Sequence, residues 1–332
     1  MKRLGVAAAL LVLASTARAQ DPQCIGLGKA DACQKAVDIF KYLTPQLGTT
    51  IAGGNSIMGS GGVLGGLPHW TVGLRATVIA GSVPQFTASN APNVLVSSPV
   101  ASTYTTKMTP IAFPAVDGAI GIFGGIPLGL TKIGGIDLLV NGAYVPTVTT
   151  TNVSIVPATN LKFGGGLRVG LLQESLLVPG ISVSVIQRGL PKTTITTTST
   201  AGASAGTIDT LQVKDLDLTT TSFRLTISKS LILLGVAAGV GVDKYKESTG
   251  IYTSVHRTVA PLPPATVTGT FAAASNMTRT NAFVDAYLNI LLLKIIGEVG
   301  IVTGGTATTF NTFDKLPTAA RPYGAIGLRV GF

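Results

Sequence analysis

From His69 to the end of the chain, apolar and polar residues alternate in short runs. A period of two is the signature of strands that show one face to an apolar environment and the other to a polar one. The clearest run is the last, RPYGAIGLRVGF: Ile326, Leu328, Val330 and Phe332 fall on one side, and Tyr323, Ala325, Arg329 and Gly331 on the other. The same count predicts ten strands: His69 to Gly81, Asp117 to Leu130, Gly135 to Pro146, Asn160 to Leu172, Gly180 to Leu190, Thr220 to Lys229, Leu231 to Val242, Thr280 to Leu292, Lys294 to Thr303 and Arg321 to Phe332. Each is long enough for the roughly 9–11 residues that a tilted strand needs to cross a bilayer.

The connections carry an independent signal. Those at 131–134, 173–179, around Lys229 and Ser230, and near Leu293 are short, whereas those at 82–116, 147–159, 191–219, 243–279 and 304–320 are long. Alternation of short turns with long loops is the asymmetry of an outer-membrane barrel, and it predicts both chain ends on the periplasmic side. The long connections are rich in Thr, Ser, Ala and Pro, yet Leu211 to Leu218 still alternates. They read as hairpins that continue beyond the membrane and end in disordered tips.

Charged residues inside the strands fall opposite the apolar stripe. Leu161, Phe163, Leu167 and Val169 oppose Lys162 and Arg168; Phe223, Leu225 and Ile227 oppose Arg224; Val284 and Leu288 oppose Asp285. An Arg or Lys facing lipid at the midplane costs about 2–4 kcal/mol. The pattern therefore assigns Arg75, Asp137, Arg168, Arg188, Arg224, Asp285, Glu298 and Arg329 to the lumen. In so narrow a barrel, interior charges must pair, hydrogen-bond or meet water. Two arrangements remain open: a salt-bridged, filled lumen, or a narrow Arg-lined pathway that favours anions. The aromatic girdle is sparse, with Trp70, Phe163, Phe223, Tyr144, Phe283 and Phe332 expected near strand ends on the lipid side.

Composition narrows the class. Only 11% of residues are charged and 41 are glycine, mean hydropathy is +0.49, and soluble chains carry about 25% charged residues. After the first 19 residues no uncharged apolar stretch is long enough for a helical span, which leaves the closed barrel as the membrane solution. The fold class expected is all-β: a transmembrane antiparallel up-and-down β-barrel of about ten strands, with eight to fourteen compatible, preceded by a short helical or plug segment. The count is open because LNILLLKIIG has no Gly, Pro, Asn or Asp at the turn near Leu293.

The opening MKRLGVAAALLVLASTARAQ has the order of a secretory signal peptide: Lys2 and Arg3, an apolar run from Leu4 to Ala14, and Ala17-Arg18-Ala19 before Gln20. The organisation expected is a signal peptide at 1–19, a periplasmic or plug segment at 20–68 and the barrel at 69–332, exported to the bacterial outer membrane. Removing residues 1–19 takes three of the 24 basic residues and none of the 14 acidic ones, leaving +7. The charge is diffuse and makes no nucleic-acid surface; it suits a neighbour bearing lipopolysaccharide.

Cys24 and Cys33 are the only cysteines, and an oxidising compartment favours a disulfide over a metal site. Ala30 to Leu43 places Cys33, Val37, Phe40 and Leu43 on one helical face, with Lys35, Asp38 and Lys41 elsewhere. The glycine-rich Ile51 to Pro68 reads as a flexible strap, lining the lumen or hanging in the periplasm; it lacks the Lys-Ser/Thr ending of a phosphate loop.

The stretch YLTPQLGTTIAGG from Tyr42 to Gly54, with HWTVGLRATVIAG, LVPGISVSVIQRG and the terminal GLRVGF, resembles a family of bacterial outer-membrane proteins without an assigned function. The resemblance covers most of the chain after the signal and implies location and fold without a substrate. More distantly, a segment ahead of a barrel is similar to the outer-membrane fatty-acid transporters, which have more strands and a hatch inside the barrel. A final amphipathic strand ending in Phe resembles the signal that barrel-assembly machinery reads, here Tyr323, Leu328, Val330 and Phe332.

No catalytic constellation is spaced along the chain. His69 begins the first strand and His256 lies in a long loop, with Asp117, Asp243 and Asp314 as rim carboxylates, and nothing ties them together. The function expected is a narrow channel or transport protein, not an enzyme, without cofactor or metal, whose partners are outer-membrane lipids and lipopolysaccharide, the assembly machinery and a small solute. The alternative is a non-conducting structural or surface-binding barrel with a filled lumen.

Overall fold

A computed structural model of the chain describes residues 20–25, 30–87, 89–90, 92, 96–149, 153–199, 209–257 and 265–331. Residues 1–19, expected as a signal peptide, residues 200–208 and 258–264, expected as loop tips, and Phe332 lie outside them. Ten antiparallel strands close a ring: β1 (Trp70–Pro84), β2 (Thr106–Phe123), β3 (Ile136–Tyr144), β4 (Leu161–Leu172), β5 (Gly180–Gly189), β6 (Asp209–Leu231), β7 (Leu234–Arg257), β8 (Ala265–Ile290), β9 (Leu293–Thr303) and β10 (Arg321–Gly331). Each strand pairs with its sequence neighbours, and β10 returns to β1 from Thr71 opposite Gly331 to Ile79 opposite Tyr323. Closure leaves no free edge across the ring.

The strands expected from alternation are all present, with three shifts. The second runs from Thr106 to Phe123, not from Asp117 to Leu130. Gly125, at φ +83°, stops it, and Ile126–Leu128 folds back on Thr131–Ile133 as a separate small hairpin. Its first half was hidden by Pro110 and Pro114, residues that fit badly in a central strand; here residues 106–114 pair only with β1, and β3 joins at Ala115. A proline lacking its N–H is tolerated on such an edge. The turn expected at Lys229 and Ser230 lies at Ile232 and Leu233, and the one expected near Leu293 is the pair Leu291 and Leu292. Leu291 adopts φ +55° fully in the open, so this turn lacks the usual turn residues.

The strands β6, β7 and β8 continue far past the others, as the alternation at Leu211 to Leu218 implied. Thr193–Ser199 and Val153–Pro157 extend the sheet beside β6. The outward face of the ring is an apolar belt that includes Leu74, Val140, Leu167, Leu225, Val240, Val284, Val299 and Leu328. Trp70, Phe163, Phe223 and Tyr144 also face outward, but Phe283 does not: it packs inside with Ile79, Val302 and Tyr323, because it has the parity of Asp285 rather than that of Val284.

Described residues from Ala30 to Leu64 occupy the lumen. The helix α1 runs from Ala30 to Ala52, nine residues beyond the expected end at Leu43, and at about 1.5 Å per residue it is roughly 35 Å long. It continues through Pro45 because burial against the barrel wall outweighs local propensity; Thr49 Oγ1 donates to the Pro45 carbonyl at 2.9 Å. Although long, α1 is not apolar enough to cross a membrane itself. It stops at Gly53, whose φ of +59° is the left-handed cap glycine favours.

Its direction reverses one expectation. Ala30 N–H donates to Val96 and the Asp31 carboxylate accepts from Val100 N–H, both in the long loop between β1 and β2. Cys24, Cys33, Val37 and Phe40 pack against Leu216, Ile251 and Phe271 on the extended parts of β6, β7 and β8. The described N-terminal residues thus sit at the long-loop end, whereas β10 ends at the short-turn end beside Trp70 and Thr71. Strand alternation sets which way β1 runs and is silent about the path leading to it.

Candidate functional site

The lumen side chains converge on the backbone of residues 52–64. Arg188 donates to the carbonyls of Ala52 at 2.7 Å and Ser56 at 2.9 Å. Arg224 reaches Gly54 O through Nε at 2.7 Å and Gly53 O at 2.9 Å. Arg329 donates to Met58 O at 2.6 Å and Gly59 O at 3.2 Å, and Arg75 to Asn55 O at 3.3 Å. From the opposite sign, Glu298 accepts the N–H groups of Gly54 and Asn55 at 3.1 and 2.8 Å. Asp285 accepts Gly59 N–H at 2.8 Å and the Asn55 amide at 2.7 Å, and Asp137 accepts Leu64 N–H. Carbonyls meet guanidinium groups and N–H groups meet carboxylates, so an irregular segment inside an apolar shell keeps its backbone satisfied.

The remaining capacity of these charges is used among themselves. Arg168 binds Asp137 through two nitrogens at 2.9 and 2.7 Å. Arg224 binds Asp243 at 2.7 Å, and Arg75 and Arg188 share Asp117 at 3.3 and 3.4 Å. All eight residues assigned to the lumen from the sequence face inward and are buried. They do not form a free row: each arginine donates to a carboxylate, to the inner segment, or to both.

Two of the three carboxylates expected at the rim lie elsewhere. Asp117 and Asp243 are not rim carboxylates but lumen partners of the arginines, and Asp243 also accepts Ser222 Oγ at 2.6 Å. Their apolar neighbours Val116 and Val242 set the parity, a signal obscured by drawing strand ends at those positions. Asp314 does lie in a long loop, where Thr106 N–H and Oγ1 donate to its carboxylate at 3.0 and 2.7 Å and hold it below the usual carboxylate range. His69 sits at the short-turn end, its Nδ1 2.9 Å from Gly66 O, whereas His256 pairs with Thr266 at the far end of β7. Among the described side chains, none of these carboxylates meets His69.

The glycine-rich strap is not a free linker. Asn55, Ser56, Ile57 and Met58 are buried, and Ile57 packs with Ala119, Leu139 and Ile186. Asn55 and Asn281 were missed: Asn281 donates to Gly53 O at 2.8 Å and accepts Tyr323 Oη at 2.9 Å.

At the long-loop end, a Cys24–Cys33 disulfide closes the start of α1. Asp38 fastens the loop 304–320 by accepting Asn311 N–H and its amide at 2.7 and 2.8 Å, and Tyr42, Phe313 and Tyr104 stack. The helix buries its polar side as well as its apolar one, which the expected amphipathic pattern did not foresee. On β10, Leu328 and Val330 face outward and Tyr323 inward.

No protein-family model matches the chain, and no curated protein matches it. Among solved structures, the transport unit of the autotransporter AIDA-I from Escherichia coli is similar at 8% identity and a TM-score of 0.30, over 90% of this chain and 98% of that one. The outer membrane channel DcaP of Acinetobacter baumannii is similar at 10% identity and a TM-score of 0.20, over 80% and 96%. OmpT, an outer-membrane protein of Vibrio cholerae, follows at 11% and 0.18, over 79% and 97%. DcaP and OmpT are outer-membrane proteins, and likenesses so slight carry no argument about the site; similarity to fatty-acid transporters is not shown.

Proposed function

We propose that this chain is an outer-membrane barrel closed by its own N-terminal segment, and that its lumen charges serve to hold that plug rather than to conduct ions. The observation that carries this reading is the match in sign and position between lumen side chains and successive backbone groups of residues 52–59. An Arg-lined anion pathway would need guanidinium groups turned to water; here they are engaged by carbonyls and carboxylates. The apolar belt and the short-turn, long-loop asymmetry support the membrane and its orientation, with long loops outside. Leu328, Val330 and Tyr323 on the last strand support recognition by the assembly machinery.

A second reading is favoured by the plug's chemistry. Because the clamp grips backbone atoms of a glycine-rich turn, displacing the plug would leave the barrel wall intact and open a charged lumen to a small solute. Planar-bilayer recordings distinguish the two states. The folded protein is expected to be silent. Gly54→Val places bulk against Tyr323 and Glu298, which lie at the position a side chain would take; it is expected to dislodge the plug and produce discrete conductance. Steady conductance from the unaltered protein would refute the sealed barrel.

A further inference from the structure

Four strands define where the apolar belt ends. On the outward face, Val183, Leu225, Val240 and Ala282 stand side by side across β5 to β8. The next outward row is Val185, Phe223, Val242 and Thr280, and the one after it is Gln187, Thr221, Lys244 and Thr278. Above that come Thr219, Lys246 and Asn276. The surface changes from hydrocarbon to amide, hydroxyl and ammonium within about two rows, each roughly 6.8 Å along the strand. Phe223 marks the border, with the Lys244 ammonium 5.8 Å from its ring centre.

At this border lies a groove of about 300 Å³ lined by Gln187, Thr221, Lys244, Lys246, Asn276 and Thr278 among others, none of them acidic. The adjoining Asp243 and Glu247 face inward, and Asp217 is held by Lys162 at 2.9 Å. Two ammonium groups two residues apart on one strand face, flanked by hydroxyl and amide donors, make a site for a phosphate group. Its height matters: the groove opens directly beyond the apolar belt on the long-loop side, the level of lipid headgroups.

We infer that this groove binds the phosphorylated headgroup of an outer-leaflet lipid while the acyl chains lie along the belt beneath it. The inference rests on the membrane orientation proposed above. Binding is tested in detergent on the purified folded barrel by native mass spectrometry with bisphosphorylated lipid A, monophosphorylated lipid A and inorganic phosphate as probes. Because this assay needs no membrane, cell fractionation tests the location separately. Lys244→Gln and Lys246→Gln are each expected to weaken lipid A binding about fivefold, and the pair more. Lys315→Gln, exposed in the loop between β9 and β10 and outside the groove lining, is expected to change nothing. Monophosphorylated lipid should bind less tightly, and inorganic phosphate should fail to compete at equal concentration. Equal binding by the double variant, or equal competition by inorganic phosphate, would overturn the assignment.

Discussion

Asp285 and Glu298 stand directly opposite each other on β8 and β9 and turn both carboxyl groups onto one turn of the plug, Gly54 to Gly59. Like charges are unfavourable on facing positions of a sheet, so the pair is explained by what it holds rather than by the strands. Glu298→Leu removes the acceptor of two buried N–H groups, and each orphaned group costs about 1–3 kcal/mol. Glu298→Gln keeps one acceptor oxygen and should fall between. Urea unfolding in micelles, followed by heat-modifiable migration, should give the order wild type, Gln, Leu; a Leu variant as stable as wild type would remove this role.

Arg224 and Asp243 form a second test, since their 2.7 Å contact lies wholly inside the lumen. Arg224→Met leaves the buried Asp243 carboxylate without its cation, takes the guanidinium from Gly54 O and leaves Gly53 O with Asn281 alone, at a cost of about 3–5 kcal/mol. Adding Asp243→Asn removes the stranded charge, so the double variant is expected to be more stable than the sum of the single losses implies. Strict additivity in a double-mutant cycle would show that the pair does not act as one.

The disulfide should act locally. Cys24 and Cys33 are nine residues apart, and a loop of that size stabilises by about 2–3 kcal/mol. Cys24→Ser with Cys33→Ser is expected to speed amide exchange in residues 21–25 and the first turns of α1. Residues 53–59, held by the lumen charges, should keep their protection, as hydrogen-exchange mass spectrometry would read.

The direction of α1 makes a topological prediction. With long loops outside, as proposed, and cleavage before Gln20, as the sequence leads one to expect, the new N-terminus is expected at the cell surface, because the described residues 21–25 and the start of α1 lie at the long-loop end. An epitope placed between Gln20 and Asp21 should be labelled by antibody on intact cells. Labelling only after permeabilisation would place that end in the periplasm.

What the sequence revealed was the face each residue takes. Arg168 between Leu167 and Val169, or Arg224 between Phe223 and Leu225, already has its side of the sheet settled by parity. The partner was not legible: Arg224 meets Asp243 only because β6 and β7 pair in one register, and that register depends on a turn at Ile232 and Leu233. Asp117 was obscured further by prolines in the first half of β2, a strand that also slips by one residue at Gly121 against β3. The helix was recognised from Cys33, Val37 and Phe40, yet its length and direction depend on a lumen that no local pattern describes.

The N-terminal segment occupies the lumen, held there by the charges of the wall. Ser56 on the plug and Ser184 on β5 bring their hydroxyl oxygens within 2.8 Å, so Ser56→Cys with Ser184→Cys tests it directly in cells. A plug-to-wall disulfide is expected, found by mass spectrometry as one linked peptide pair in the unreduced protein. Two free thiols at these positions in a correctly assembled barrel would contradict it.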